Sequence, residues 1–270
     1  MPNFEILCVT MHQKDFSKIE EMNIHSDVFF ANQADTTAYQ STLFEGHIAR
    51  MITTDTRGVG INRNLALTYA RGDICLFADD DVRYIDNLEE TVVGEFERHP
   101  DADVMIFHLD TDDPHRKQKR YPTTRKCTPW ERMPWGGFRI AVRLQAVRKA
   151  NLWFTTLFGG GCIFPSGEDS MWLTEAKRKG LTFYVSKETI GIVSFETSTW
   201  FNGLNKHFYW GRGAYQKAIH PRTCLIWIIY MAIRLRENSE LTFWDRVKWM
   251  KRGCKGYEVM QPFDSVREML

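Results

Sequence analysis

The chain has 270 residues, of which 43% are hydrophobic, 13% aromatic and 26% charged, with only 9 Pro and 18 Gly. That is a globular make-up able to bury a real core, and it excludes a disordered, collagen-like or low-complexity protein. The 35 Lys and Arg nearly cancel the 34 Asp and Glu, which argues against a nucleic-acid partner held by global positive charge, yet residues 201–270 carry 12 basic against 6 acidic side chains.

Residues 4–10 (FEILCVT) read as a strand, and the polar stretch 14–23 has helical spacing at Phe16, Ile19 and Met22. Strands are expected at 28–31 and 48–53, then a helix over 61–70 with Gly72 as its C-cap. Residues 74–78 (ICLFA) form a continuous apolar run, the pattern of a strand covered on both faces. A helix at 88–98 and a strand at 104–109 continue the alternation, which predicts an α/β fold with a mostly parallel central sheet flanked by helices. Residues 110–134 are polar, basic and too long for an ordinary connection, so they are expected to form a mobile loop or arm. A strand at 138–142, a helix at 144–150, a Gly-rich turn at 159–161, a helix at 168–179 and a strand at 182–185 follow. Beyond Trp200 the sequence turns to aromatic, basic helices, so the expected domains are residues 1–200 and a helical C-terminal extension, 201–270.

The six cysteines, Cys8, Cys75, Cys127, Cys162, Cys224 and Cys254, form no CxxC pair and suit a reducing cytosol. No secretory signal opens the chain, and the longest apolar run, 224–233 (CLIWIIYMAI), is half the roughly 20 residues a spanning helix needs. A cytoplasmic protein is expected. Residues 243–257 interleave aromatic side chains with Arg246, Lys248, Lys251, Arg252 and Lys255. This suits either an interfacial helix on the inner, anionic membrane face or a helical pair packed on the core.

Three features could carry chemistry. Asp79-Asp80-Asp81 directly follow the buried strand ICLFA, at the strand end where open sheets bind ligands. Crowded carboxylates raise one another's pKa unless a cation is present, and Mg²⁺ or Mn²⁺ commonly bridges such acids to phosphates. The alternative is an Asp-rich turn capping the next helix, which needs only one of the three. Gly167-Glu168-Asp169 open a helix, as N-terminal caps or as a general base on a substrate hydroxyl. Residues 57–64 (RGVGINRN) offer backbone donors and guanidinium groups to an anion, or form an exposed helix entry.

In order and spacing, GVGINRNLAL (58–67), GDICLFADDDV (72–82) and SGEDSMW (166–172) resemble the pattern of glycosyltransferase family 2 on a GT-A fold, over about residues 4 to 200. The resemblance implies a metal-dependent, inverting transferase that moves a sugar from a nucleotide-diphosphate sugar to an acceptor hydroxyl. The acceptor would be a carbohydrate or lipid-linked sugar, as in bacterial-type surface polysaccharide or glycolipid assembly. On this pattern Asp79 and Asp81 hold Mn²⁺ or Mg²⁺, Asp80, Arg63 and Asn64 lie on the nucleotide side, Asp169 is the base and Glu168 orients the acceptor or tunes it. Residues 10–13 and 32–37 depart from the family's usual segments, and Thr10 and Asp35 hold the matching positions. Arg212 is a candidate for the diphosphate and His207 for a further metal ligand. The rival readings are a metal-dependent nucleotidyltransferase, whose Gly-rich basic signature after the first strand is missing, and an inactive carbohydrate-binding GT-A protein.

Overall fold

The computed structural model describes residues 2–112, 120–128, 131, 136–194, 203–236 and 239–263. In chain order the strands and helices are β1 (Phe4–Met11), α1 (Lys18–Glu21), β2 (Asp27–Gln33), β3 (Ala38–Phe44), β4 (His47–Thr54), α2 (Val59–Tyr69), β5 (Ile74–Asp79), β6 (Val82–Tyr84), α3 (Leu88–Arg98), β7 (Val104–Thr111), β8 (Arg125–Lys126), β9 (Ile140–Arg143), α4 (Leu144–Lys149), α5 (Glu168–Arg178), β10 (Phe183–Val193), α6 (Lys206–Ile219), α7 (Cys224–Arg234) and α8 (Phe243–Val259). By contact the chain groups into two units. One holds Met1–Arg57, Ile61–Phe154 and Trp172–Ser198; the other holds Gly58–Gly60, Thr155–Met171 and Thr199–Leu270. The helical extension expected at 201–270 therefore shares its unit with two earlier segments.

The first unit is built on one sheet in the order β3-β4-β2-β1-β5-β9-β7-β10-β6, with β8 paired to β10. The run β4-β2-β1-β5 is parallel, as expected. Beyond it the sheet is mixed rather than mostly parallel, because β9 inserts antiparallel between β5 and β7. β1 and β5 are apolar throughout because both faces are covered. Phe4, Ile6 and Cys8 pack into one cluster with Val92 and Phe96 of α3, while Leu7 and Val9 are buried on the opposite face. On β5, Phe77 meets Phe154 and Trp172 edge-on at 5.2 and 5.6 Å. Each such pair adds about 0.5–1.5 kcal/mol beyond area burial.

A buried ion pair ties the sheet to α2. Glu5 accepts from Arg50 Nη2 at 2.5 Å and from the backbone N–H groups of Arg71 and Gly72, and Arg50 also donates to the Tyr69 carbonyl. Gly72 is thus no left-handed C-cap: a Cβ there would lie 2.8 Å from the Glu5 Cβ, so glycine serves close approach. Three strands, β3, β6 and the two-residue β8, are not among those expected. β3 is almost wholly exposed and so lacks the apolar alternation that marks a half-buried strand. The expected helix at 14–23 contracts to the single turn α1, and the strand at 182–185 extends to Val193. Of the loop expected at 110–134, residues 113–119, 129–130 and 132–134 lie outside the described residues; its described part includes β8.

In the second unit α6 and α8 approach closely through glycine. A Cβ on Gly213 would stand 1.9 Å from the Met250 carbonyl, and one on Gly253 1.9 Å from that of Trp210. Around them an aromatic core forms from Phe158, Phe164, Tyr209 and Trp210, with Phe164 stacked on Trp210 at 5.1 Å. Trp249, expected as a possible membrane anchor, is buried in this core, whereas Trp244 is 75% exposed. Trp200 and Phe201 lie outside the described residues.

Candidate active site

At the carboxyl ends of the parallel strands the apolar runs give way to a row of polar side chains. Register aligns Thr10 of β1 with Asn32 of β2, and Asn32 with Thr53 of β4. Asn32 Nδ2 donates to Thr53 Oγ1 and to the Gln13 carbonyl, both at 2.9 Å. Asn62 reaches in from α2 to donate to the Ala31 carbonyl at 2.6 Å, and its own Oδ1 is buried with no partner. Asn32 and Asn62 were not singled out in the sequence; a polar residue closing an apolar strand is the signal that marks the first of them.

The three acids beside this row have different surroundings. Asp79, the last residue of β5, takes a 3.0 Å hydrogen bond from Arg63, which is buried and lies over the Phe154 ring at 5.3 Å. Asp80 accepts from the Thr10 hydroxyl, and its backbone carbonyl accepts from Lys18 Nζ at 3.3 Å. Asp81 has a buried Oδ1 with no partner. Burial first, then the charges of Asp79 and Asp80, push its carboxyl up to about 7. A carboxylate oxygen removed from water and left without a donor is what a hard cation satisfies. Among the described residues no three His, Cys, Asp or Glu side chains converge as a metal cage. The two carboxylates Asp79 and Asp81, one with an unsatisfied buried oxygen, are oxygen donors of the type a hard divalent ion takes.

Thr10, Arg63, Asp79, Asp80 and Asp81 are thus gathered around the end of β5. Asn64 and Asp35 are engaged elsewhere. Asn64 exchanges two hydrogen bonds with the Phe154 backbone, at 2.8 and 2.9 Å, which holds the ring beneath Arg63. Asp35 is exposed and pairs with Arg57, itself bound to the Ala34 carbonyl.

Within the second unit, the segment preceding α5 is held by backbone bonds: Gly159 N–H to Phe164, Cys162 N–H to Gly159, and Val59 N–H to Gly160 at 3.0 Å. Gly159 has φ +112°, and a Cβ there would meet Val59 Cγ1 at 2.5 Å and the Glu168 carboxyl at 3.0 Å. Glycine is required by both conformation and space. Gly167 N–H donates to Glu168 Oε2 at 3.1 Å, which turns that acid back on the loop and buries it. Asp169 is half-buried in the first turn of α5. Arg212 of α6 lies over the Phe208 ring at 5.2 Å. Burial lowers its pKa, while Tyr215 and Glu168 raise it, so Arg212 stands within electrostatic reach of Glu168. His207 is packed among rings, stacked on Trp210 at 6.0 Å and edge-on to Phe263 at 4.9 Å.

Residues 32–157 match the family model described as glycosyl transferase family 2, a stretch that takes in Arg63 and the three acids and stops short of Glu168 and Asp169. No curated protein matches the chain by sequence. The fold is similar to that of Staphylococcus aureus TarS 1-349, at TM-score 0.58 and 12% identity over 97% of this chain and 93% of that one. TarS 1-349 in complex with UDP gives TM-score 0.58 and 12% identity over 99% and 78%. TarS 1-349 in complex with UDP-GlcNAc gives 0.56 and 12% over 97% and 77%. At this identity the likeness is one of fold.

Proposed function

We propose that the chain, whose residues 32–157 match the model of glycosyl transferase family 2, is a glycosyltransferase of that family that transfers a sugar, with inversion, from a nucleotide-diphosphate sugar to an acceptor hydroxyl. The observation that carries the donor site is the unpartnered, buried Asp81 Oδ1 beside the Arg63–Asp79 pair at the end of β5. A UDP-sugar is the donor class to test first, since similar folds are known in complex with UDP and UDP-GlcNAc.

Asp79 and Asp81 would hold Mn²⁺ or Mg²⁺, which when bound supplies positive charge to the diphosphate as it leaves. The chain's own residues do the remainder. Arg63, fixed on the Phe154 ring, holds Asp79 in place through their hydrogen bond. Asp80, held by Thr10 and Lys18, adds to the negative field that draws a cation. Asp169 accepts the acceptor hydroxyl's proton as that oxygen bonds to the anomeric carbon, and the bond from that carbon to the diphosphate breaks with its electron pair on the leaving oxygen. One displacement inverts the configuration. Glu168, buried and faced by Arg212, fixes the start of α5 and with it the direction of the Asp169 side chain.

The acceptor is a carbohydrate or lipid-linked sugar of surface polysaccharide or glycolipid assembly, and the enzyme works from the cytoplasm, peripherally on the inner membrane face. The basic excess beyond residue 200 supports this. No helix among the described residues is long and apolar enough to cross a membrane.

The test is sugar release from a panel of nucleotide-sugars with and without Mn²⁺. Expected is metal-dependent release from a UDP-sugar, with Asp169→Asn lowering turnover by about 10²-fold or more while donor affinity stays nearly intact. Pyrophosphate release without free sugar would favour nucleotidyl transfer. A mutant that keeps most of its turnover would return Asp169 to the role of helix cap.

A further inference from the structure

α7 (CLIWIIYMAIR) has no acidic residue and is apolar nearly all round, yet only Ile228 and Ala232 are fully buried. Leu225, Ile226, Ile229, Tyr230 and Ile233 are exposed, Ile226 by 68% and Ile233 by 55%. At about 100° per residue these five fall within an arc of about 140°, opposite the side that packs on the unit's core. A contiguous exposed apolar face of this kind marks an interaction surface. Its two ends are basic: Arg222 precedes the helix, Arg234 and Arg236 close it, and all three are exposed. The neighbouring α8 adds a shallow groove of about 460 Å³ lined by Trp244, Val247, Lys248, Lys251, Arg252 and Lys255.

Resting on the reading that the enzyme works at a membrane, we propose that α7 is the element that enters it. The helix lies in the plane of an anionic bilayer with its aliphatic face in the headgroup–acyl boundary. Its terminal arginines and the α8 groove meet lipid phosphates. Length excludes spanning, since eleven residues extend only about 16 Å. Charge selects the occupant. Two copies meeting through this face would bring Arg222, Arg234 and Arg236 of each against the other with no acid on α7 to receive them, whereas an anionic surface answers every one.

The experiment is partitioning of the whole protein onto vesicles of phosphatidylcholine alone and of phosphatidylcholine mixed with phosphatidylglycerol, with parallel light scattering for oligomeric state. Wild type is expected to bind only the anionic vesicles. Ile226→Glu with Ile229→Glu should lower the partition coefficient by about 10²-fold or more, and Ile226→Leu with Ile229→Leu should retain it. Both pairs are exposed and should keep the wild-type melting curve. Unchanged binding by the glutamate pair would overturn the role of α7 and leave membrane association standing. Failure of wild type to bind either vesicle would overturn both. A dimer that the glutamate pair turns into monomer, with no vesicle binding, would make the face a contact between copies and likewise overturn the proposal.

Discussion

Of the three adjacent acids, Asp81 is the one set apart by its surroundings. Asp79 is paired with a buried arginine and Asp80 is hydrogen-bonded, so the electrostatic cost of the cluster falls on Asp81. With its carboxyl raised to about 7, the folded protein without metal holds a proton that the unfolded chain releases near pH 4. The stability this contributes is complete below about pH 4 and is lost as pH rises through about 7. A cation must displace that proton, so its stabilising effect runs the other way. Melting temperatures should therefore show Mn²⁺ stabilising the protein more at pH 8 than at pH 6, with Asp81→Asn flattening both trends. A Mn²⁺ response equal at the two pH values would show that Asp81 does not face the ion. The triple acid was legible because it interrupts an apolar strand. The division of roles within it was not, since Arg63, Thr10 and Lys18 lie 16 to 70 residues away in sequence.

Among the elements, α6 and α8 depend on glycine for contact in a way that an amphipathic pattern does not show. Gly213 and Gly253 each face a backbone carbonyl of the opposite helix, so a methyl group cannot be absorbed by turning a side chain. Alanine raises intrinsic helix propensity, by about 1 kcal/mol, but here the overlap wins. Gly213→Ala should push the helices apart and cost about 2 kcal/mol or more, read by urea denaturation. A neutral or stabilising result would mean that the two helices slide freely. The same core explains why Trp249 and Trp244, five residues apart on a basic aromatic helix, part ways: one is buried and the other is 75% exposed. Helical spacing separates the two faces, but only packing decides which is covered.

For the molecule as a whole, the near-neutral net charge conceals a basic C-terminal region, and the charge difference has a measurable consequence. Binding to phosphatidylglycerol vesicles should weaken steeply between low salt and about 0.5 M salt, where the Debye length falls below about 5 Å. Salt-independent binding would show that the α7 face acts alone. What the sequence by itself determined is local or additive: the apolar strands, the acids placed at a strand's carboxyl end, the helix opened by Glu168 and Asp169, and the basic aromatic C-terminus. Each follows from side-chain period, chain order or composition. The tertiary structure alone decided that β9 runs antiparallel between β5 and β7, that segment 155–171 joins the helical unit, and that the acid with a buried, unpartnered oxygen is Asp81. A strand buried on both faces is apolar whichever way it runs, and whether a buried charge finds a partner depends on residues that only folding brings near.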